Sequence, residues 1–117
     1  MQRRNTVSEK LSSIVEKMAT SVLRNKDASP KAVTLALEMT HIAWNFADED
    51  YREEPGYIHG IQEMGKSMSL LKKEFIDNDP EKLIEMLIKI KREDYPNDKR
   101  TIFSVEYRDG NVKINWR

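Results

Sequence analysis

Between Ser29 and Ala47 the chain carries a helical segment with almost no polar side, and this constrains the fold more than any other feature. Val33, Leu35, Ala36, Leu37, Met39, Ile42, Ala43, Trp44 and Phe46 occupy most of its circumference. A helix that is apolar nearly all round has to be buried, with the remaining elements packed around it. Its start is marked by Ser29 at the N-cap and Pro30 at the first helical position, and it is expected to run over about 30–47. Thr34, Glu38, His41 and Asn45 recur at spacings of four, three and four, and form one narrow polar stripe, which reads first as a solvated face and second as the wall of a groove.

Three amphipathic segments can supply the surrounding helices. The first spans about 7–24, with Thr6 and Glu9 as a capping box and Leu11, Ile14, Val15, Met18 and Val22 as its stripe. The third spans about 57–76, with Tyr57, Ile61, Met64, Met68, Leu71 and Phe75 facing inward. Gly60 and Gly65 interrupt it, at a cost of about 1 kcal/mol each relative to alanine, as expected for close helix approach or a late helix start. The fourth spans about 80–92 behind Asp79-Pro80, with Leu83, Met86, Leu87 and Ile90 inward and Ile84 and Ile88 widening that face.

After Tyr95-Pro96-Asn97-Asp98 the period changes from helical to alternating. Asp109-Gly110 is a type I′ hairpin signal between strands at about 101–108 and 111–117. A two-residue loop sets Tyr107 opposite Val112, Val105 opposite Ile114 and Phe103 opposite Trp116, with Glu106 facing Lys113 as an attractive pair. Placing the turn at Gly110-Asn111 instead would oppose Arg108 and Lys113. The expected apolar face is Phe103, Val105, Tyr107, Val112, Ile114 and Trp116.

These elements specify a mainly α (α+β) fold, an irregular four-helix core with a C-terminal antiparallel β-hairpin, as one domain over 1–117. A lone two-stranded hairpin is marginal in water, so its apolar face must be buried and its edges covered. A helix, a second copy of the chain or another protein can serve, which makes a homodimer through the hairpin edge one expectation.

Composition narrows the function classes. Lys plus Arg number 20 and Asp plus Glu number 20, so no global field draws the chain to nucleic acid or to an anionic membrane. No segment reaches the roughly 20 apolar residues of a membrane span, and the charged residues after Arg3 and Arg4 exclude a signal-peptide core. Cysteine is absent, which removes disulfides and thiolate metal sites and fits a reducing, cytoplasmic setting.

Signatures of catalysis are missing: there is no Gly-x-Ser-x-Gly, P-loop, Gly-x-Gly-x-x-Gly or His-Glu-x-x-His. Glu38-x-x-His41 has the spacing of carboxylate-bundle metal sites. Those need two copies and two further Glu residues, and here there is one copy. His59 and Glu63, at the wrong spacing, lie opposite the apolar stripe of their helix. No metal and no cofactor are therefore expected. Asp48, Glu49, Asp50, Glu53 and Glu54 form an acidic connection; Arg52 and Glu53 break the EF-hand pattern. The connection reads as a solvated loop or an acidic patch for a basic partner.

Arg3 and Arg4, with Lys89, Lys91, Arg92, Lys99 and Arg100, form basic clusters with acidic residues among or near most of them, a weak nucleic-acid footprint. Six methionines, Met18, Met39, Met64, Met68 and Met86 among them, read as core filling before they read as an adaptable surface. The leading expectation is a non-enzymatic protein–protein interaction or regulatory module. The alternatives are a metal- or small-ligand-binding protein built on Thr34, Glu38, His41 and Asn45, and a nucleic-acid accessory protein. In the stripe, Glu38 beside His41 is expected to raise the imidazole pKa.

Overall fold

The computed structural model describes residues 10–47 and 53–117. In chain order it contains α1 (Leu11–Thr20), α2 (Pro30–Phe46), α3 (Pro55–Met68), a 3₁₀ turn (Lys72–Glu74), α4 (Pro80–Asp94), β1 (Ile102–Arg108) and β2 (Asn111–Trp116). The expected helix start near Val7, the Thr6–Glu9 capping box and Asp48, Glu49 and Asp50 lie outside the described residues.

The apolar helix is the centre of the molecule. α2 packs against α1, α3, α4 and β1. Leu35, Ala36, Leu37, Met39, Ala43 and Trp44 are all buried. Thr40 is buried as well, and its hydroxyl donates to the Ala36 carbonyl at 2.8 Å, which satisfies the hydroxyl within the helix. α1 contributes Leu11, Ile14, Val15 and Met18, the stripe read from its sequence, with Val22 just beyond its end.

Both flanking helices stop earlier than their apolar periodicity suggests. α1 ends at Thr20, not near Arg24. The Thr20 and Ser21 hydroxyls donate to the Glu16 and Met18 carbonyls, and the next amides bond three residues back. α3 ends at Met68 rather than near Ile76, where the Ser69 hydroxyl donates to the Lys66 carbonyl. The two freed segments then pair. Leu23 and Phe75 form an isolated antiparallel bridge, with Arg24 N–H donating to Glu74 O and Ile76 N–H to Val22 O. Phe75 is buried as expected, but from extended backbone. Leu70, left behind by the early helix end, is 93 % exposed.

α4 continues to Asp94, two residues beyond expectation, and presents a slightly rotated face. Leu83, Ile84, Leu87, Ile88 and Lys91 are buried, Ile90 is half-buried and Met86 is exposed. Lys91, expected on a basic surface, is 1 % exposed. Its ammonium donates to the Tyr95 and Asp98 carbonyls at 3.0 and 2.9 Å and lies 4.6 Å from the Trp44 ring centroid. A lysine can be buried when its charge is solvated by carbonyls and an aromatic face in this way. Arg92 and Arg100 are also used internally. Arg92 Nε donates to the Ala47 carbonyl at the end of α2, and Arg100 grips the buried Asp98 carboxylate.

The hairpin turn is as read. Asp109 and Gly110 both have positive φ, 53° and 80°, as a type I′ turn requires. Val105 pairs with Ile114, Glu106 with Lys113 and Tyr107 with Val112. The expected Phe103–Trp116 pair is replaced: Trp116 pairs with Ile102, and an irregularity between Ile102 and Ser104 leaves Phe103 as an extra residue. Ile102 is 1 % exposed, whereas Phe103 and Trp116 are 55 % and 50 % exposed. The cause is parity. Val105 and Tyr107 already face the helices, so Ile102 can join them only if one residue is inserted in between.

Candidate functional site

The polar stripe of α2 is divided between two environments. Toward the C-terminal end, His41 and Asn45 are half-buried against β1. The Asn45 amide donates to the Ile102 carbonyl at 2.8 Å, and its oxygen accepts the Ile102 N–H at 3.0 Å. His41 Nε2 lies 3.0 Å from the same carbonyl. A carbonyl oxygen only accepts, so Nε2 carries the proton in this arrangement. Asn45 thus does for Ile102 what a third strand would do, and it closes the sheet edge at that residue.

Burial lowers the His41 pKa below its ordinary value, with the Ile102 hydrogen bond a smaller opposing effect. The expected upward pull from Glu38 is not what governs this imidazole. Desolvation governs it because a charged ring packed under β1 would lose water.

Toward the N-terminal end, Thr34 and Glu38 are exposed and line a groove of about 540 Å³. Leu35 and Leu71 contribute apolar wall, Ser67 sits across from α2, and Tyr107 of β1 closes one side. Lys31, seven residues before Glu38, lines the same groove. Seven residues are about two turns, so both side chains project from one face about 10 Å apart along the axis. Among the described residues neither has a hydrogen-bond or ion-pair partner. Desolvation against the groove wall raises the Glu38 pKa above its ordinary value.

The start of α2 is held from outside the helix. Ser29 Oγ accepts the Ala32 N–H at 3.2 Å, as an N-cap does. Its own N–H and hydroxyl donate to the two Glu74 carboxylate oxygens at 2.7 and 2.8 Å. Glu74 therefore completes a capping box from 45 residues away, a role usually filled three residues after the cap. These donors lower the Glu74 pKa.

No family model, curated protein or solved structure matches this chain.

The acidic connection contributes Glu53 and Glu54 to the described structure, both exposed at the start of α3, where acidic charge is favourable to the helix dipole. Among the described residues no cluster of three or more His, Asp or Glu side chains is arranged to hold a metal ion. His59 and Glu63 are exposed on α3. Among the same residues no helix is long and apolar enough to cross a membrane.

One surface was missed by sequence reasoning. The alternation through 103, 105 and 107 assigns Phe103 to the core, and the bulge turns it out. The Arg117 guanidinium lies 5.2 Å from the Phe103 ring, and Arg100 lies 5.1 Å from the ring of exposed Trp116. Trp116, paired with Ile102, stands at the end of the inward row, whereas the solvent face of the strands carries Glu106, Arg108 and Lys113, all exposed. The adjacent apolar pair Ile102-Phe103 was the only available signal, since one of two successive strand residues must face away from the core.

Proposed function

We propose that this chain is a non-enzymatic, cytosolic interaction module that meets a partner protein on the outer face of its β-hairpin. The observation that carries the reading is the outward Phe103. A strand that kept its alternation would have buried this ring, and the bulge instead presents it beside Arg117. Exposed aromatics backed by arginine are the composition of interface hot spots. Arg108, Lys113 and Arg117 outnumber Glu106 on this face, which suits an acidic partner surface with an apolar anchor. The cytosolic setting is supported by the zero cysteine count.

The test is site-specific photo-crosslinking in the native host at native expression level. A crosslinker at position 103 is expected to capture one defined protein, and the same group at exposed Lys82 on α4 is not. A captured second copy of the chain would identify the partner as itself and support a homodimer through this hairpin. Equal labelling from both positions, or none from 103, would contradict the reading.

A further inference from the structure

The groove beside α2 has a chemistry of its own, separate from the outer face of the hairpin. Its walls are apolar at Leu35, Leu71 and Tyr107, and its two charged groups sit at opposite ends of one helical face. Lys31 is at the end nearer the α2 N-terminus. Glu38 is about two turns further on. Thr34 lies between them on α2, and Ser67 of α3 lines the same groove; each hydroxyl can donate and accept. A volume of about 540 Å³ is that of a small-molecule site.

We infer that this groove binds a short peptide with free termini and apolar side chains, its ammonium at Glu38 and its carboxylate at Lys31. The length follows from geometry. An extended chain advances about 3.3 Å per residue, so roughly three residues separate groups 10 Å apart. The hydroxyls of Thr34 and Ser67 then face the peptide groups of the ligand, and Leu35, Leu71 and Tyr107 receive its side chains. The Glu38 carboxylate, which has no partner among the described residues, accepts a charge-assisted hydrogen bond from the ligand ammonium.

Isothermal titration calorimetry of the full chain with trileucine at low salt tests this. Binding below about 1 mM is expected for the free tripeptide. Acetylating its amine is expected to weaken binding about tenfold to the unaltered protein, while Glu38→Gln binds the free and acetylated peptides alike. Amidating its carboxylate is expected to act in the same way through Lys31→Gln. Thermal melts report whether both variants remain folded; if one does not, the blocked peptides on the unaltered chain decide the matter alone. Absence of binding at 1 mM, or affinity indifferent to both blocking groups, would overturn the assignment. Neither result bears on position 103, so the hairpin reading stands or falls separately.

Discussion

The two halves of the α2 polar stripe are built from similar residues and end in opposite situations. Asn45 and His41 are consumed by the backbone of Ile102, whereas Glu38 and Thr34 are left facing a groove. Helical spacing alone treats all four as one solvated face. What separates them is the path of β1, which crosses the stripe at one end only. A polar stripe on a central helix is thus a set of sockets, and the elements that arrive later in the chain decide which are filled.

The largest expected effect comes from the filled half. Asn45→Leu removes both hydrogen bonds to Ile102 and leaves its N–H without a partner, so urea denaturation is expected to show a loss of about 2–4 kcal/mol. A loss below about 0.5 kcal/mol, the range of ordinary surface changes, would erase the distinction between the halves.

Next is the anchor at the open end. Ser29→Ala removes the N-cap hydroxyl and its bond to Glu74 while keeping the backbone N–H contact to that carboxylate, and is expected to cost about 1–2 kcal/mol by the same measurement. Because the folded Glu74 pKa is lowered, its contribution is complete above its ordinary value of 4.5 and is lost as pH falls through the folded value. Glu74→Gln should therefore flatten that part of the acid limb. An unchanged acid limb would show that the cap does not depend on the carboxylate.

His41 gives a smaller, pH-dependent signature. Its folded pKa lies below the ordinary 6.5, so the unfolded chain takes up the proton first. Stability from this group is complete above pH 6.5, declines as pH falls toward the folded value, and levels off below it. His41→Gln is expected to blunt that decline. An NMR titration midpoint above 6.5 would reverse the sign and restore the influence first expected from Glu38.

The smallest effects belong to the open half. Thr34→Ala is expected to change stability by less than about 0.5 kcal/mol. Glu38 behaves oppositely to Glu74. Its raised folded pKa makes the ionised form unfavourable, so Glu38→Gln should raise the thermal midpoint slightly at pH 7, and that gain should decline as pH falls through the folded value and be gone below the ordinary 4.5. A clear drop instead would mean that Glu38 has a structural partner.

Much of the scaffold is legible because its signals are local. Ser29-Pro30 and Asp79-Pro80 mark helix starts through capping and fixed φ, and Asp109-Gly110 sets a hairpin and two of its inward pairs. The misread parts all depend on distant contacts. α1 and α3 end early and feed a bridge between Leu23 and Phe75, 52 residues apart in sequence. Lys91 is drawn inside by the turn carbonyls of Tyr95 and Asp98 and by the Trp44 ring, a combination visible only after folding. Phe103 fails for the same reason, since the residue that claims Ile102 is Asn45, 57 positions earlier. The stripe itself was readable, but which half would stay open was not, because Tyr107 and Leu71 come from elements whose placement the helix does not encode.

The central claim is that the filled half of the stripe substitutes for a missing strand at Ile102. Amide hydrogen exchange at Ile102, followed by NMR, tests it most directly. Slow exchange is predicted in the unaltered chain and in Glu38→Gln, with that protection lost selectively in Asn45→Leu while the Glu106 amide stays protected. Fast exchange at Ile102 in the unaltered chain, or protection indifferent to Asn45, would contradict it.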